Sequence, residues 1–336
     1  MTANWRVSTT PPGEWDALVK LCGGGFFHTP AALGVSLPEG ELFYALAENG
    51  NGPEAIALGT RSVCRLSQIP RHAVLATCPA TRPGVDAAVA AHRLAQALAA
   101  QGAAEVAMHS FDAPAATGGS RVEHRIDLGR ATAETLIAAC SSTQRRHIRR
   151  GEGEGWTLQV LRGCEAVEQL HAVQSEAAHR ARRRGEFFEA TPALAAGAAA
   201  SLDAPWGTSC FATFAGPVLL NVVLIGWGNG RAFYLLGGST PEGYRRSAAA
   251  WTHWRIMQLC ARAGHRVYNL GGTPAGAEAT THTAHGLYRF KQGFGATQVS
   301  CKGNGWVFRR THLRAHRLLL LGARFARRHI SYTNSE

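Results

Sequence analysis

Lysine is nearly missing from this chain. Of its 35 basic residues only Lys20, Lys291 and Lys302 are lysines, and arginine does the rest of the work. Methionine is equally sparse, at three residues. Acidic residues number 23, which leaves a net charge of +12 and points to a polyanionic partner such as nucleic acid, a phosphorylated substrate or an anionic membrane surface. No CxxC pair occurs among the eight cysteines, which are scattered from Cys22 to Cys301. That spacing excludes a zinc ribbon and a compact disulfide framework, and reads as buried free thiols. The fifteen histidines are also dispersed; His282 and His285 are three apart, but no carboxylate or cysteine stands at ligand spacing. No metal and no cofactor are therefore expected. Long apolar runs are absent too: the longest near the end, Leu318 to Leu321, is far too short to span a bilayer. The opening Met1-Thr2-Ala3-Asn4-Trp5-Arg6 lacks the apolar core of a signal peptide. A soluble, cytoplasmic protein without integral membrane association is expected.

What is present reads as alternating helices and strands in a chain of 336 residues, long enough for two domains. In the first, Gly13 to Cys22 has a helical pattern. Phe43 to Glu48 and Ala55 to Leu58 form a hairpin around Asn49-Gly50-Asn51-Gly52, Asp86 to Gln101 is an alanine-rich helix, and Glu105 to Met108 and Val122 to Leu128 are strands. The second begins near Arg130. Thr132 to Ala139 is helical, and the basic run Gln144 to Arg150 is broken by Gly151, Gly153 and Gly155 before a strand from Trp156 to Leu161. Glu165 to Arg183 and Pro192 to Leu202 are helices. Ser209 to Phe214, Val218 to Gly226 and Ala232 to Leu236 form an antiparallel meander. Ala248 to Ala263 is a helix closed by Gly264, and Val267 to Leu270 is a strand. The segment from Pro274 to Ala284 is expected to be disordered. The predicted class is α+β: two domains of GNAT type (acyl-CoA N-acyltransferase-like), residues 1–130 and 131–336, each a mixed, mostly antiparallel sheet flanked by helices.

Two stretches concentrate chemistry. Tyr268-Asn269-Leu270-Gly271-Gly272-Thr273 runs an apolar strand into paired glycines, where a missing Cβ permits close approach of a ligand. Gly286-Leu287-Tyr288-Arg289-Phe290-Lys291-Gln292-Gly293-Phe294-Gly295 sets a lysine among aromatic rings, so its ammonium would be partly desolvated and aimed. A compact ammonium changes protonation state, or stabilises an oxyanion, more readily than a guanidinium does. Arg145, Arg146, Arg149 and Arg150 fall on one face of a helix, and Arg180, Arg182, Arg183 and Arg184 form a second cluster. Both suit phosphate contacts, and both equally suit a solvated helical face. The C-terminal stretch Arg309 to Arg328 is a basic helix with a leucine seam that would dock with its arginines exposed or touch RNA or membrane.

From Ser142 onward the chain resembles the Fem family of aminoacyl-tRNA-dependent peptidyltransferases (FemABX), which are built from two GNAT-like domains. Ser142 to Trp156, Phe233 to Arg245, Gly264 to Thr273 and Gly286 to Gly295 carry the resemblance, in order. It implies a transferase that joins a tRNA-borne amino acid to an amine of a small peptide acceptor. By that resemblance Lys291 and Phe290 are catalytic; Tyr234, Gly238, Ser239, Tyr244, Gly271, Gly272, Thr273 and Arg289 bind substrate; and Arg145, Arg146, Arg149, Arg150 and Arg183 bind tRNA. Two departures bear on the substrate. Asn269 stands where the family usually has aspartate. The regions that hold a UDP diphosphate in relatives read Ala31 to Ser36 and Gly185 to Thr191, with no basic residue. An intermediate of peptidyl-antibiotic biosynthesis is thus expected as acceptor in preference to a peptidoglycan precursor. Acyl-CoA is the rival donor, but the loop Leu236 to Ser247 lacks the Arg/Gln-x-x-Gly-x-Gly/Ala spacing that cradles pyrophosphate.

Overall fold

The computed structural model describes residues 4–33, 35, 37, 40–63, 71–115, 118–183 and 206–309. The expected helix at Pro192 to Leu202, Arg184, and the C-terminal helix beyond Arg309 lie outside the described residues. In chain order the elements are β1 (Asn4–Ser8), α1 (Trp15–Leu21), β2 (Glu41–Asn49), β3 (Gly52–Val63), β4 (Arg71–Leu75), β5 (Ala80–Thr81), α2 (Ala87–Ala100) and β6 (Ala103–Met108). There follow β7 (Arg121–Asp127), α3 (Ala133–Ala139), α4 (Ser142–Gly153), β8 (Thr157–Leu161), α5 (Gly163–Arg183), β9 (Thr208–Ala215), β10 (Val218–Gly228) and β11 (Arg231–Ser239). The last are α6 (Pro241–Arg246), α7 (Ala248–Arg262), β12 (Val267–Pro274), α8 (His285–Gln292), β13 (Thr297–Cys301) and β14 (Asn304–Val307).

Two compact units result. The first takes the described residues of Met1–Cys22, Leu37–His109 and Gly303–Glu336; the second takes those of Gly23–Ser36 and Ser110–Lys302. A single cut at residue 130 differs from this division, because β7 joins the second sheet and β14 the first. The first sheet runs β1-β2-β3-β4-β6-β14, with β5 beside β3; the second runs β13-β7-β12-β11-β10-β9-β8. Each repeats one theme. A meander (β2-β3-β4, then β9-β10-β11) leads through helix to a strand parallel to the meander's last, β6 on β4 and β12 on β11. The remaining pairs are antiparallel. The architecture is α+β with two GNAT-type domains.

Local chemistry accounts for the helices. Asp86 caps α2 by accepting from the backbone N–H groups of Ala88 and Val89, and Leu94 and Leu98, one turn apart, enter the first core with Phe43, Leu75 and Val106. The second core gathers Trp251, Trp254, Tyr268, Leu220 and Phe294. Two expectations need correction. Gly151 does not break α4, which continues to Gly153; a Cβ at Gly151 would sit 2.5 Å from the Trp251 ring, so this glycine serves helix packing. Nor is Pro274 to Ala284 disordered: successive turns fold it, with Ala277 fully buried and its carbonyl 3.2 Å from Nδ1 of His285.

Candidate active site

Helix α8 is short and amphipathic, and its inward face delivers Lys291. The side chain is 4% exposed, and its Nζ donates to the carbonyl of Gly272, 2.9 Å away, on β12. Burial, and then the Arg121 guanidinium, push the ammonium down to about 7, with Glu123 pulling the other way. A lysine so placed is divided between its charged and neutral forms near neutral pH. The ammonium is desolvated, and it is turned toward the backbone of β12.

The partner strand supplies residues that sequence reading missed. β7 reads Arg121, Glu123 and Arg125 on one face, and Glu123 is 1% exposed. Its carboxylate accepts from Arg125 Nη2 (2.9 Å), from Nδ2 of Asn269 (2.9 Å) and from the backbone N–H of Asp112 (2.9 Å). Asp112 in turn pairs with Arg125 and Arg231, each at 2.7 Å. Asn269 completes the turn by accepting from the N–H of Gly271 at 2.8 Å. An aspartate there would face Glu123 at hydrogen-bond distance, so the amide is the residue this network needs and Glu123 carries the charge. Charges at alternate positions of a strand flanked by apolar segments were the available sign of a buried polar network.

Gly271 and Gly272 lie inside β12, at a register shift against β7. Gly271 has φ +74°, and a Cβ at Gly272 would overlap the Arg121 guanidinium, 2.2 Å from Nε. The paired glycines therefore make room for the protein's own cation. Thr273 is likewise engaged internally. Gln292 donates to Nδ1 of His124 (3.1 Å), which leaves the proton on Nε2 to be given to the Thr273 hydroxyl (3.0 Å). Burial, Lys291 and Arg121 hold His124 neutral, down to about 4.

β11 and β12 are paired only over Arg231 to Phe233 and then diverge. Tyr234 stands at the divergence, its ring edge-on to His253 at 4.7 Å, with its phenol pushed up to about 12 by burial. His253, on α7, shares a 2.7 Å hydrogen bond with the Tyr268 hydroxyl and packs against Phe290 and Phe294. Burial, and then Lys291, lower it to about 3. A neutral His253 thus seals the apolar side of the lysine. No sequence spacing marked it.

Six of the expected site residues line two cavities. A groove of about 840 Å³ is lined by Ser239, Tyr244, Arg289 and Phe290 together with the start of α4. A small cavity of about 70 Å³ takes Tyr234 and Gly271, with Arg121, Glu123, Phe27 and Phe111. Lys291 lines neither, but its Nζ stands 3.5 Å from the Cβ position of Gly271, a lining residue of the small cavity, while its neighbour Phe290 lines the groove. Gly238 is closed off from both: a Cβ there would meet the Val173 carbonyl at 2.6 Å, and its own carbonyl accepts from Asn221 at 2.7 Å. Its close approach is to α5, not to a ligand.

The basic residues separate by environment. Arg145 is used structurally, donating to the carbonyls of Ala138 (3.2 Å) and Cys140 (2.6 Å) at the end of α3. Arg150 pairs with Glu154 at 2.7 Å. Arg146, Arg149 and Arg183 are exposed and form no ion pair among the described residues. Arg180 donates to the Ser239 carbonyl (3.0 Å) and lies over the Tyr244 ring. Among the described residues no group of three or more His, Cys, Asp or Glu side chains is arranged to hold a metal ion, and no helix is long and apolar enough to cross a membrane.

Comparison with known proteins supports the fold. Residues 138–292 match the family model of an acetyltransferase (GNAT) domain. The crystal structure of FemX superposes with a TM-score of 0.72 at 12% identity, covering 91% of this chain and 98% of that one. L-PGS from Bacillus licheniformis gives 0.55 at 14% identity, covering 92% and 96%. A conserved protein of unknown function from Bacteroides thetaiotaomicron gives 0.55 at 9% identity, covering 91% and 99%. A sequence search of curated proteins finds no match.

Proposed function

From a FemX-like fold of two GNAT domains, carrying an acyltransferase architecture of the Fem/GNAT type, we propose that this protein is an aminoacyl-tRNA-dependent aminoacyltransferase of the cytoplasm. The observation that carries the reading is Lys291, buried on α8 against the bulged strand β12 with its ammonium poised near pH 7. An acceptor amine attacks the ester carbonyl of the aminoacyl-tRNA. A C–N bond forms, the C–O bond to the terminal ribose breaks, and the ribose oxygen leaves with the proton the amine gives up. The ester is already activated, so positioning and oxyanion stabilisation dominate. Lys291 supplies the cation for the oxyanion, and Phe290, lining the large groove, shapes the place of the esterified end. Exposed Arg146, Arg149 and Arg183 are the candidates for tRNA phosphate contact. The acceptor is a small peptide amine of peptidyl-antibiotic type, since Ala31 to Ser36 and Gly185 to Thr191 offer no basic residue for a UDP diphosphate.

The GNAT match raises acyl-CoA as donor. Against it stands the loop before α6. The N–H of Thr240 donates to the Leu220 carbonyl, that of Gly243 to Thr240 Oγ1, and that of Tyr244 to the Thr240 carbonyl. These three donors, which could otherwise face a pyrophosphate, are spent within the protein on β10 and on Thr240. The test is transfer of radiolabelled amino acids from charged total tRNA to peptide amines, with and without RNase, beside a parallel series with acyl-CoA. Product abolished by RNase supports the reading. Product that survives RNase and requires acyl-CoA overturns it.

A further inference from the structure

The small cavity is lined by one cation, Arg121, and one carboxylate, Glu123, and the charges packed around it are unbalanced. Four cations, Arg121, Arg125, Arg231 and Lys291, stand against two carboxylates, Asp112 and Glu123. Asp112 is committed to Arg125 and Arg231, and Glu123 to Arg125, Asn269 and a backbone N–H. Arg121 receives nothing comparable. The Glu123 oxygen nearest its Nε is 3.8 Å away, beyond hydrogen-bond reach, and that buried nitrogen has no acceptor among the described residues. That nitrogen is closed off against Gly272, so an anion would meet the under-paired guanidinium through its terminal nitrogens, of which Nη2 lies toward Gly271.

Geometry makes the place for that anion. Arg121 lies over the Phe111 ring with its Cζ 4.8 Å from the centroid, and it lines the cavity together with Phe27, Phe233 and Tyr234. Its Nη2 and the Lys291 Nζ stand 4.0 and 3.5 Å from the point a Cβ on Gly271 would occupy, so both cations converge where glycine leaves room. A planar guanidinium matches a carboxylate in bidentate fashion. The volume, about 70 Å³, suits a carboxylate and is too small for a nucleotide or a phosphate ester.

We propose that this cavity is a carboxylate site, in which Arg121 holds a carboxylate of the acceptor and so presents the acceptor's amine beside Lys291. The acceptor half of the proposal rests on the aminoacyl-transfer reading; the carboxylate site itself does not. It narrows the substrate class to amines that carry a free carboxylate, such as amino acids and peptides with an unblocked C-terminus.

Two experiments separate these parts. In the first, ¹³C-acetate is titrated into the full chain and its NMR line width followed, with methylammonium as competitor. Saturable broadening is expected in wild type and in Arg130→Gln, a change at an exposed position, and is expected to vanish in Arg121→Gln. Arg121→Lys, which keeps the charge but not the fork, should bind more weakly, and its thermal unfolding shows whether the fold survives the change. Broadening indifferent to both Arg121 variants, or abolished by methylammonium, overturns the site. In the second, transfer from charged tRNA is compared for glycylglycine and glycylglycinamide. Wild type should prefer the free acid by roughly ten- to a hundredfold in kcat/KM, the range of a charged hydrogen-bonded contact, and the Arg121 variants should lose that preference. Equal use of both acceptors overturns the acceptor assignment, as does an Arg121 effect confined to acidic aminoacyl donors. Acetate binding at Arg121 without transfer to either acceptor leaves the carboxylate site standing and removes the transfer reading.

Discussion

In the proposed reaction Lys291 supplies the cation, and its environment gives that role a pH signature. As an ammonium lowered to about 7, it is present below that pH and lost tenfold per unit above it. The ratio of wild-type to Lys291→Ala transfer rates should therefore be flat below pH 7 and fall tenfold per unit above it. The acceptor's own titration cancels in the ratio; a ratio flat to pH 9 would remove the ammonium role. His253 makes a separate prediction about stability. Its folded pKa, about 3, lies below the unfolded value of 6.5, so the unfolded chain binds more protons between those limits. Its contribution is present above pH 6.5 and lost as pH falls toward 3. Urea unfolding at pH 7 and pH 5 should show the stability advantage of wild type over His253→Gln shrinking by about 2 kcal/mol. Lys291 was legible in the sequence because lysine is rare here and aromatic rings surround it. Arg121, Glu123 and His253 were not: each is defined by a partner far away in the chain, such as Asn269 for Glu123.

At the scale of elements, several glycines mark close approaches within the protein itself. Gly237, Gly238 and Gly243 face the protein's own backbone, and a Cβ on Gly243 would lie 1.8 Å from the Leu220 carbonyl. Gly243→Ala should lower stability by about 1–3 kcal/mol through overpacking of α6 on β10, measured by denaturant unfolding. A value within 0.5 kcal/mol of wild type would show that α6 can shift freely. The helix α4 offers a second test, because its arginines are unlike one another. Arg146→Gln and Arg149→Gln should each reduce the log–log salt slope of tRNA binding by about 1, as expected for loss of a phosphate contact. Arg145→Gln should instead destabilise the junction of α3 and α4, since its guanidinium holds two backbone carbonyls. Unchanged slopes at Arg146 and Arg149 would make this face merely solvated.

For the whole molecule, the order of strands and helices sufficed to foresee an α+β chain of two related domains. The hairpin around Asn49 to Gly52, the meander β9-β10-β11 and the alanine-rich α2 carried that reading through turn residues and periodicity. The assignment of β7 to the second sheet was invisible, because pairing across long separations leaves no local mark. β4, a short strand reading Arg71-His72-Ala73-Val74-Leu75, has too little alternation to declare itself.

Whether this fold moves an aminoacyl group from tRNA by means of Lys291 decides the proposed function. The most direct measurement is the single-turnover rate of labelled aminoacyl transfer from tRNA to a peptide amine, at saturating concentrations of both, for wild type and Lys291→Ala. A fall of roughly 10²–10³ with tRNA affinity unchanged is the predicted result, the scale of losing one oxyanion contact. An equal rate in the variant would contradict the account.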